Sequence, residues 1–337
     1  MSASGGTRAI VAALLANLGI AVTKLLAWGL TGSSSMLAES IHSLADSGNQ
    51  ALLLLGGRRA QRKATPEHPF GYGRERYIYA FIVSIVLFSV GGLFALYEAY
   101  HKFHEQTGPE GPHGFDSWQW VPPTVLIVAI VLETFSFRTA IRESNHVRGT
   151  ASWKQFVRRA KAPELPVVLL EDLGALLGLI FALVGVSMTL ATDDGRWDAA
   201  GTAAIGLLLV AIAVILAIET KSLLLGESGT PEDVAKIERA IVEGEDVERV
   251  IHMKTLHLGP EELLVAAKVA VRPYESAAEL AEGINAVEAR IRAAVPIARV
   301  IYVEPDIYRD AGQPDPAARA AEAAPPVADP GPGIREG

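Results

Sequence analysis

Six stretches of about 20 predominantly apolar residues constrain this chain more than any other feature. They lie at roughly 8–30, 34–57, 77–101, 118–140, 164–190 and 198–225. Each is long enough to cross a bilayer core about 30 Å thick. Inside lipid, every backbone N–H and C=O must be bonded within the segment, so such stretches fold as helices. A chain of 337 residues, 50% of them hydrophobic, has room for such a membrane domain and one small further domain. A single basic residue, Arg8, precedes the first stretch. That stretch exceeds the apolar core of a signal peptide, so a retained helix is expected there rather than a cleaved leader.

The connecting loops orient the spans. The loop after span two holds Arg58, Arg59, Arg62, Lys63, Arg74 and Arg76. The loop after span four holds Arg142, Arg148, Lys154, Arg158, Arg159 and Lys161. The three intervening loops hold only Lys102 and Arg196. Excess Lys and Arg mark the cytoplasmic side. Both basic loops and both termini are therefore expected in the cytoplasm, and the chain in the cell (inner) membrane as a multi-pass protein. Trp118, Trp120 and Trp197 stand at span ends, where amphipathic aromatics anchor at the interface.

After Leu225 the pattern changes. Gly226 to Thr230 reads as a linker, and Pro231 opens an amphipathic helix to about Glu243, with Thr230 as its N-cap. Strands follow at Val247–Leu258 and Leu263–Val271, parted by the Gly259-Pro260 turn. A helix from about Ser276 to Ala294 and a strand from Ala298 to Val303, stopping at Glu304-Pro305, complete the set. Helix, strand, strand, helix, strand suits a small α+β sandwich, and at about 80 residues a dimer interface would help to stabilise it. The expected organisation is a six-span all-α membrane domain over 8–225, a cytoplasmic α+β domain over 226–308 and a disordered tail over 309–337.

Composition removes several classes of chemistry. The chain has no cysteine, so disulfides, thiolate metal sites and cysteine nucleophiles are excluded. A net charge of -8 gives nucleic acid no purchase. No HExxH and no nucleophile elbow occur, so the chain reads as no enzyme.

The polar residues inside the spans are informative, because an ionisable group there costs several kcal/mol unless paired or hydrated. Span two carries Glu39, His42, Asp46 and Asn49. At about 100° per residue, the other three lie within about 60° of His42, on one stripe. His42 and Asp46, at i and i+4, can give one divalent ion a nitrogen and an oxygen, a mixture suited to Zn²⁺ and its first-row neighbours. Alternatively they bond to each other and to neighbouring helices with no ion. Span five adds Glu171 and Asp172 with no basic residue within reach on that helix, and two buried carboxyls need a cation or a proton. Asp172 is the favoured ligand, with Glu171 a fourth ligand or a proton acceptor. Structural pairs are expected for Lys24 with Glu39 and for Glu133 with Arg138. His101, His104 and His113, with Glu105, Glu110 and Asp116, read as an ordinary solvated outer loop.

Three motifs carry a resemblance. Gly32-Ser-Ser-Ser-Met-Leu-Ala-Glu-Ser-Ile-His42-Ser-Leu-Ala-Asp46-Ser-Gly-Asn49-Gln, His68-Pro-Phe-Gly-Tyr-Gly-Arg74-Glu-Arg and Ile301-Tyr-Val-Glu-Pro305 resemble the cation diffusion facilitator family, over about residues 8 to 305. Val168-Leu-Leu-Glu-Asp172 resembles the branch typified by zinc transporter nine. The resemblance implies a homodimer of six-span protomers with a ferredoxin-like cytoplasmic domain. It further implies efflux of Zn²⁺ or a similar ion in exchange for protons, with the metal as substrate and no resident cofactor. His42, Asp46 and Asp172 fall on three of four family ligand positions; Val168 stands at the fourth, which leaves Glu171, another helix or water. In the cytoplasmic loop His68 is kept, but Tyr72 replaces a histidine and Thr65 an acid. In the C-terminal domain His252 is kept and Tyr302 replaces a histidine, so a complete zinc cluster is not expected there. A membrane-anchored metal sensor or scaffold without transport is the alternative.

Overall fold

The computed structural model describes residues 3–32, 34–106, 120–273 and 276–308. The expected disordered tail from 309 onward lies outside the described residues, as do Trp118, Glu110, His113 and Asp116. Long helices form over all six apolar windows. They are α1 (Ala3–Thr31), α2 (Ser34–Ala60), α3 (Glu75–Val86) continuing through a π-helical segment (Leu87–Leu93) into α4 (Phe94–Gln106), α5 (Val121–Arg148), α7 (Glu164–Thr192) and α8 (Arg196–Leu225). Between α5 and α7 lies a short helix, α6 (Trp153–Arg159).

Four of the long helical runs are long and apolar enough to cross a membrane: Glu75–Glu105, Val121–Arg148, Glu164–Thr192 and Arg196–Leu225. The other two are not among them. In α1 the apolar run among the described residues is Asn17–Leu30. In α2, Glu39, His42, Asp46, Asn49 and the Arg58-Arg59 end dilute the apolar surface. These side chains, except the terminal arginines, are buried against other helices.

The helices close on one core that includes Leu87, Leu126, Val167, Leu179, Ile205 and Leu209. Small residues set how near they come. A Cβ on Gly185 of α7 would lie 2.8 Å from the Trp197 carbonyl oxygen, and one on Gly201 of α8 would lie 2.9 Å from that of Phe181. The α7–α8 hairpin is thus sealed backbone to backbone, as small residues allow between spanning helices. The π-helical segment is not foreseen by the sequence. It coincides with Gly91-Gly92, where a Cβ on Gly92 would meet Val210 of α8 at 2.7 Å. The short helix α6 is also new. Ser152 and Gln155 form a reciprocal capping box at its start, and Phe156 packs against Ala140 and Leu169.

The chain divides into two compact units, Met1–Gly229 with Leu256–Leu264, and Thr230–Thr255 with Val265–Gly337. In the second, α9 (Pro231–Val242) starts at Thr230, whose hydroxyl accepts from the Asp233 N–H. Strands β1 (Val247–Gly259) and β2 (Glu262–Val271), helix α10 (Ala277–Ala294) and strand β3 (Ala298–Asp306) follow. The sheet order is β1-β2-β3. Alternate residues Val265, Ala267 and Val269 of β2 are buried, as are Ile237 and Ile241 of α9 and Val287 and Ile291 of α10. Strand β3 runs through Pro305 to Asp306, beyond the expected stop at Glu304-Pro305. It is an edge strand, where a missing N–H is tolerated.

Candidate metal centre

The polar stripe of α2 faces inward along its whole length. Glu39, His42, Asp46 and Asn49 are 0%, 1%, 7% and 0% exposed. Such burial demands partners, and α1 and α7 supply them for Glu39 and Asn49. Lys24 of α1 is itself buried and donates to Glu39 Oε2 at 2.9 Å and to Ser43 Oγ at 2.8 Å. The expected Lys24–Glu39 pair therefore forms, and Glu39 serves as counter-charge to Lys24. Gly178 of α7 leaves room for this carboxyl, since a Cβ there would stand 2.7 Å from Glu39 Oε1.

One turn on, His42 is left open. Neither ring nitrogen has a hydrogen-bond partner, and Nδ1 lies 3.5 Å from Asp46 Oδ1, itself unpartnered. A buried unsatisfied polar group costs about 1–3 kcal/mol, so this pair gains from any partner that satisfies its lone pairs. Gly91 in the π-helical segment lets that turn come close, its notional Cβ standing 3.9 Å from His42 Nδ1.

From the opposite side, α7 brings Glu171 and Asp172, both buried. Asn49 Nδ2 donates to Glu171 Oε1 at 2.7 Å, and Ser136 Oγ of α5 donates to Asp172 Oδ2 at 3.0 Å. The two carboxyls thus rest on neutral donors, not on cations. Glu133 does not pair with Arg138 as the sequence reading expected. Five residues along a helix is about 140° of rotation, and Glu133 instead lines a cleft of about 660 Å³ between α1 and α5 with Lys24 and Ser136.

The Asp46 carboxyl feels the charges of Glu171, Glu133, Lys24 and Asp172. The region therefore gathers five buried carboxyls, Glu39, Asp46, Glu133, Glu171 and Asp172, around one ammonium, Lys24. That imbalance cannot persist in a low-dielectric interior without added cations or protons. Among the described residues, however, no three His, Asp or Glu side chains converge at ligating distance. His42 and Asp46 stand together. Glu171 and Asp172 are held back by Asn49 and Ser136.

The remaining candidates lie elsewhere. His68 is exposed and packs its ring at a tilt against Tyr72, with ring centroids 4.7 Å apart, while Thr65 Oγ1 and the Tyr72 hydroxyl are 3.3 Å apart. The residues that depart from the family motif in this loop thus bond to one another. His101 pairs with Glu105 at 3.4 Å, and His104 stacks on Tyr100. Ser136 and Ser43 escaped the sequence reading. One signal was available for Ser136, which follows Glu133 by three residues and so shares its helix face.

A family model described as the cation efflux transmembrane domain matches residues 10–225. The chain is 34% identical over 250 residues to the mitochondrial proton-coupled zinc antiporter SLC30A9 of Xenopus laevis, covering 73% of this chain and 43% of that protein. It is 24% identical over 266 residues to metal tolerance protein C4 of Arabidopsis thaliana, covering 78% and 56%. It is 25% identical over 259 residues to the manganese efflux system protein MneP of Bacillus subtilis (strain 168), covering 75% and 80%. The chain spans under half the length of the SLC30A9 proteins it matches. The inward-facing acidic stripe, the multi-pass helical domain and these matches together place the chain in the cation efflux, or cation diffusion facilitator, family, within its SLC30A9-like branch.

Proposed function

We propose that this chain exports a divalent cation, Zn²⁺ foremost, from the cytoplasm in exchange for protons. It acts as a homodimer of six-span protomers, in the cell membrane, with both termini cytoplasmic. One observation carries the reading. Both ring nitrogens of buried His42 and the Oδ1 of Asp46 lack a hydrogen-bond partner, as a site awaiting an ion requires. The cargo binds deprotonated His42, Asp46 and Asp172, with Glu171 as fourth donor in the place that Val168 leaves empty. For these four to meet, Asn49 releases Glu171 and Ser136 releases Asp172. A nitrogen with carboxylate oxygens favours Zn²⁺ over Ca²⁺ or Mg²⁺. Protons compete with the ion for the same lone pairs, so ion release on the far side and proton entry are one exchange. The cleft between α1 and α5 offers a path to Ser136 and Asp172. No cofactor is needed, and the chain is no enzyme. Residues 226–308 form a ferredoxin-like cytoplasmic domain, 309–337 a tail, and the names of the relatives agree with the transport reading.

Zinc entry into inverted membrane vesicles under an imposed pH gradient tests this. Uptake should follow the gradient and fall at least about tenfold in Asp46→Ala and Asp172→Ala, the loss of about 1.4 kcal/mol or more of transition-state stabilisation. Undiminished flux in either variant refutes the assignment. Stoichiometric zinc binding without uptake would favour a sensor or scaffold instead.

A further inference from the structure

A second cleft, which shares no lining residue with the first, opens where α5, α7 and α8 meet beside α6. Its volume is about 650 Å³. Its walls are apolar, with Phe137 and Ile141 from α5, Leu170 and Leu173 from α7, and Ile215 and Ile218 from α8. Ile215 and Ile218 are 44% and 59% exposed. The deepest wall residue on α7, Leu173, lies nine residues past the helix start at Glu164, about 14 Å along the axis. That is about half of a bilayer core 30 Å thick, the depth of one leaflet.

The mouth of the cleft is basic and aromatic. Lys154 and Arg158 sit at i and i+4 on α6 and line the opening with Trp153 and Val157. Phe156, on the opposite face of α6, anchors the helix to Ala140 and Leu169. The orientation of the two cations is therefore fixed. Lys154 is exposed and makes no ion pair among the described residues. Arg158 approaches Glu219 at 3.4 Å, but the guanidinium side is 63% exposed. An exposed pair of that kind is worth little and is easily exchanged.

We propose that this cleft binds an anionic phospholipid, with an acyl chain against α5, α7 and α8 and the headgroup phosphate on Lys154 and Arg158. Leaflet depth, apolar walls and a cationic, tryptophan-bearing mouth match one lipid molecule. A flat second copy of the chain would leave the two cations without partners. Phe137 and Leu173 of the cleft are the chain neighbours of Ser136 and Asp172. An occupied cleft therefore braces the pair of helices that hold the Asp172 carboxyl.

The test uses the full chain in detergent and counts retained lipid by native mass spectrometry, so it stands whether or not the transport reading does. Phosphatidylglycerol should be retained on the order of tenfold more tightly than phosphatidylcholine of the same chains, since each basic group near an anionic surface adds a severalfold preference. Lys154→Gln alone should cut that preference severalfold without touching the Arg158–Glu219 pair, and Lys154→Gln with Arg158→Gln should abolish it. Ile218→Trp, which fills the mouth, should lower retention of both lipids. Equal retention of the two lipids by the wild type overturns the proposal, as does a preference that survives the double substitution. So does retention of inorganic phosphate alone at the same occupancy as phosphatidylglycerol, or an Ile218→Cys variant that cross-links two copies.

Discussion

Replacing Lys24 with methionine keeps most of the length of the side chain and removes its charge. Glu39 would then be a carboxyl with no exposed surface, whose only hydrogen-bond partner among the described residues is the lost ammonium at 2.9 Å. Breaking a buried ion pair from one side costs about 3–5 kcal/mol, because the other charge is left uncompensated. Replacing both members with neutral groups of similar volume is often neutral. The double variant Lys24→Met with Glu39→Gln should therefore recover most of the loss, short of the Ser43 contact, which contributes about 1 kcal/mol. Thermal inactivation of the detergent-solubilised chain, read by size-exclusion recovery after heating, measures the cycle. The single variants should lose on the order of 10 °C, at about 2–4 °C per kcal/mol for a domain near this size. The double variant should lie within a few degrees of wild type. Additive losses, or a Lys24→Met variant as stable as the parent, would show that the pair is not the buried, mutually dependent unit described.

Gly185→Ala places a Cβ 2.8 Å from the Trp197 carbonyl oxygen. Backbone cannot swing aside, so the α7–α8 hairpin must part at a cost of about 1–3 kcal/mol, visible as a lowered inactivation temperature; Gly29→Ala, with nothing within 4 Å, is the control. Outside the spans, burial pushes the Glu227 carboxyl up, but the Lys161 ammonium at 2.5 Å, with Ser222, outweighs burial and holds it below the usual carboxylate range. A lowered folded-state pKa gives stability that is present above the unfolded value, about 4.3, and is lost as pH falls through the folded value. Glu227→Gln should therefore be less stable than wild type by up to about 1 kcal/mol at pH 7. The two melting curves should converge below about pH 4; a constant gap across pH 3–7 would refute the pairing.

Periodicity made much of this molecule legible. The α2 stripe was readable because one helix fixes the mutual angles of residues 39, 42, 46 and 49, whatever surrounds them. The tail elements were readable because Thr230, Pro231 and Gly259-Pro260 are local signals that need no partner. What the sequence left hidden depends on which remote segment arrives. Glu133 was matched to Arg138 by nearness in the chain, whereas it lines the α1–α5 cleft beside Ser136 of its own helix and faces Lys24 of α1 across it. Ser136 looked like any intrahelical serine, and only α7 makes it a clamp on Asp172. The short helix α6 had a readable cue in Ser152-x-x-Gln155, a capping box, but its amphipathic run is too brief to stand out by period.

The π-helical turn at Leu87–Leu93 has a consequence for the whole of its rod. One extra residue per turn means that α3 and α4 share an axis but not an angular register. Removing a single residue there would let the turn relax to ordinary helix and spin Phe94–Gln106 by about 100° against Glu75–Val86. Leu96, which sits in the hollow left by Gly206, would then face elsewhere. The first half of the rod packs on both α2 and α8 and the second mainly on α8, and the widened turn is the gear between their two phasings.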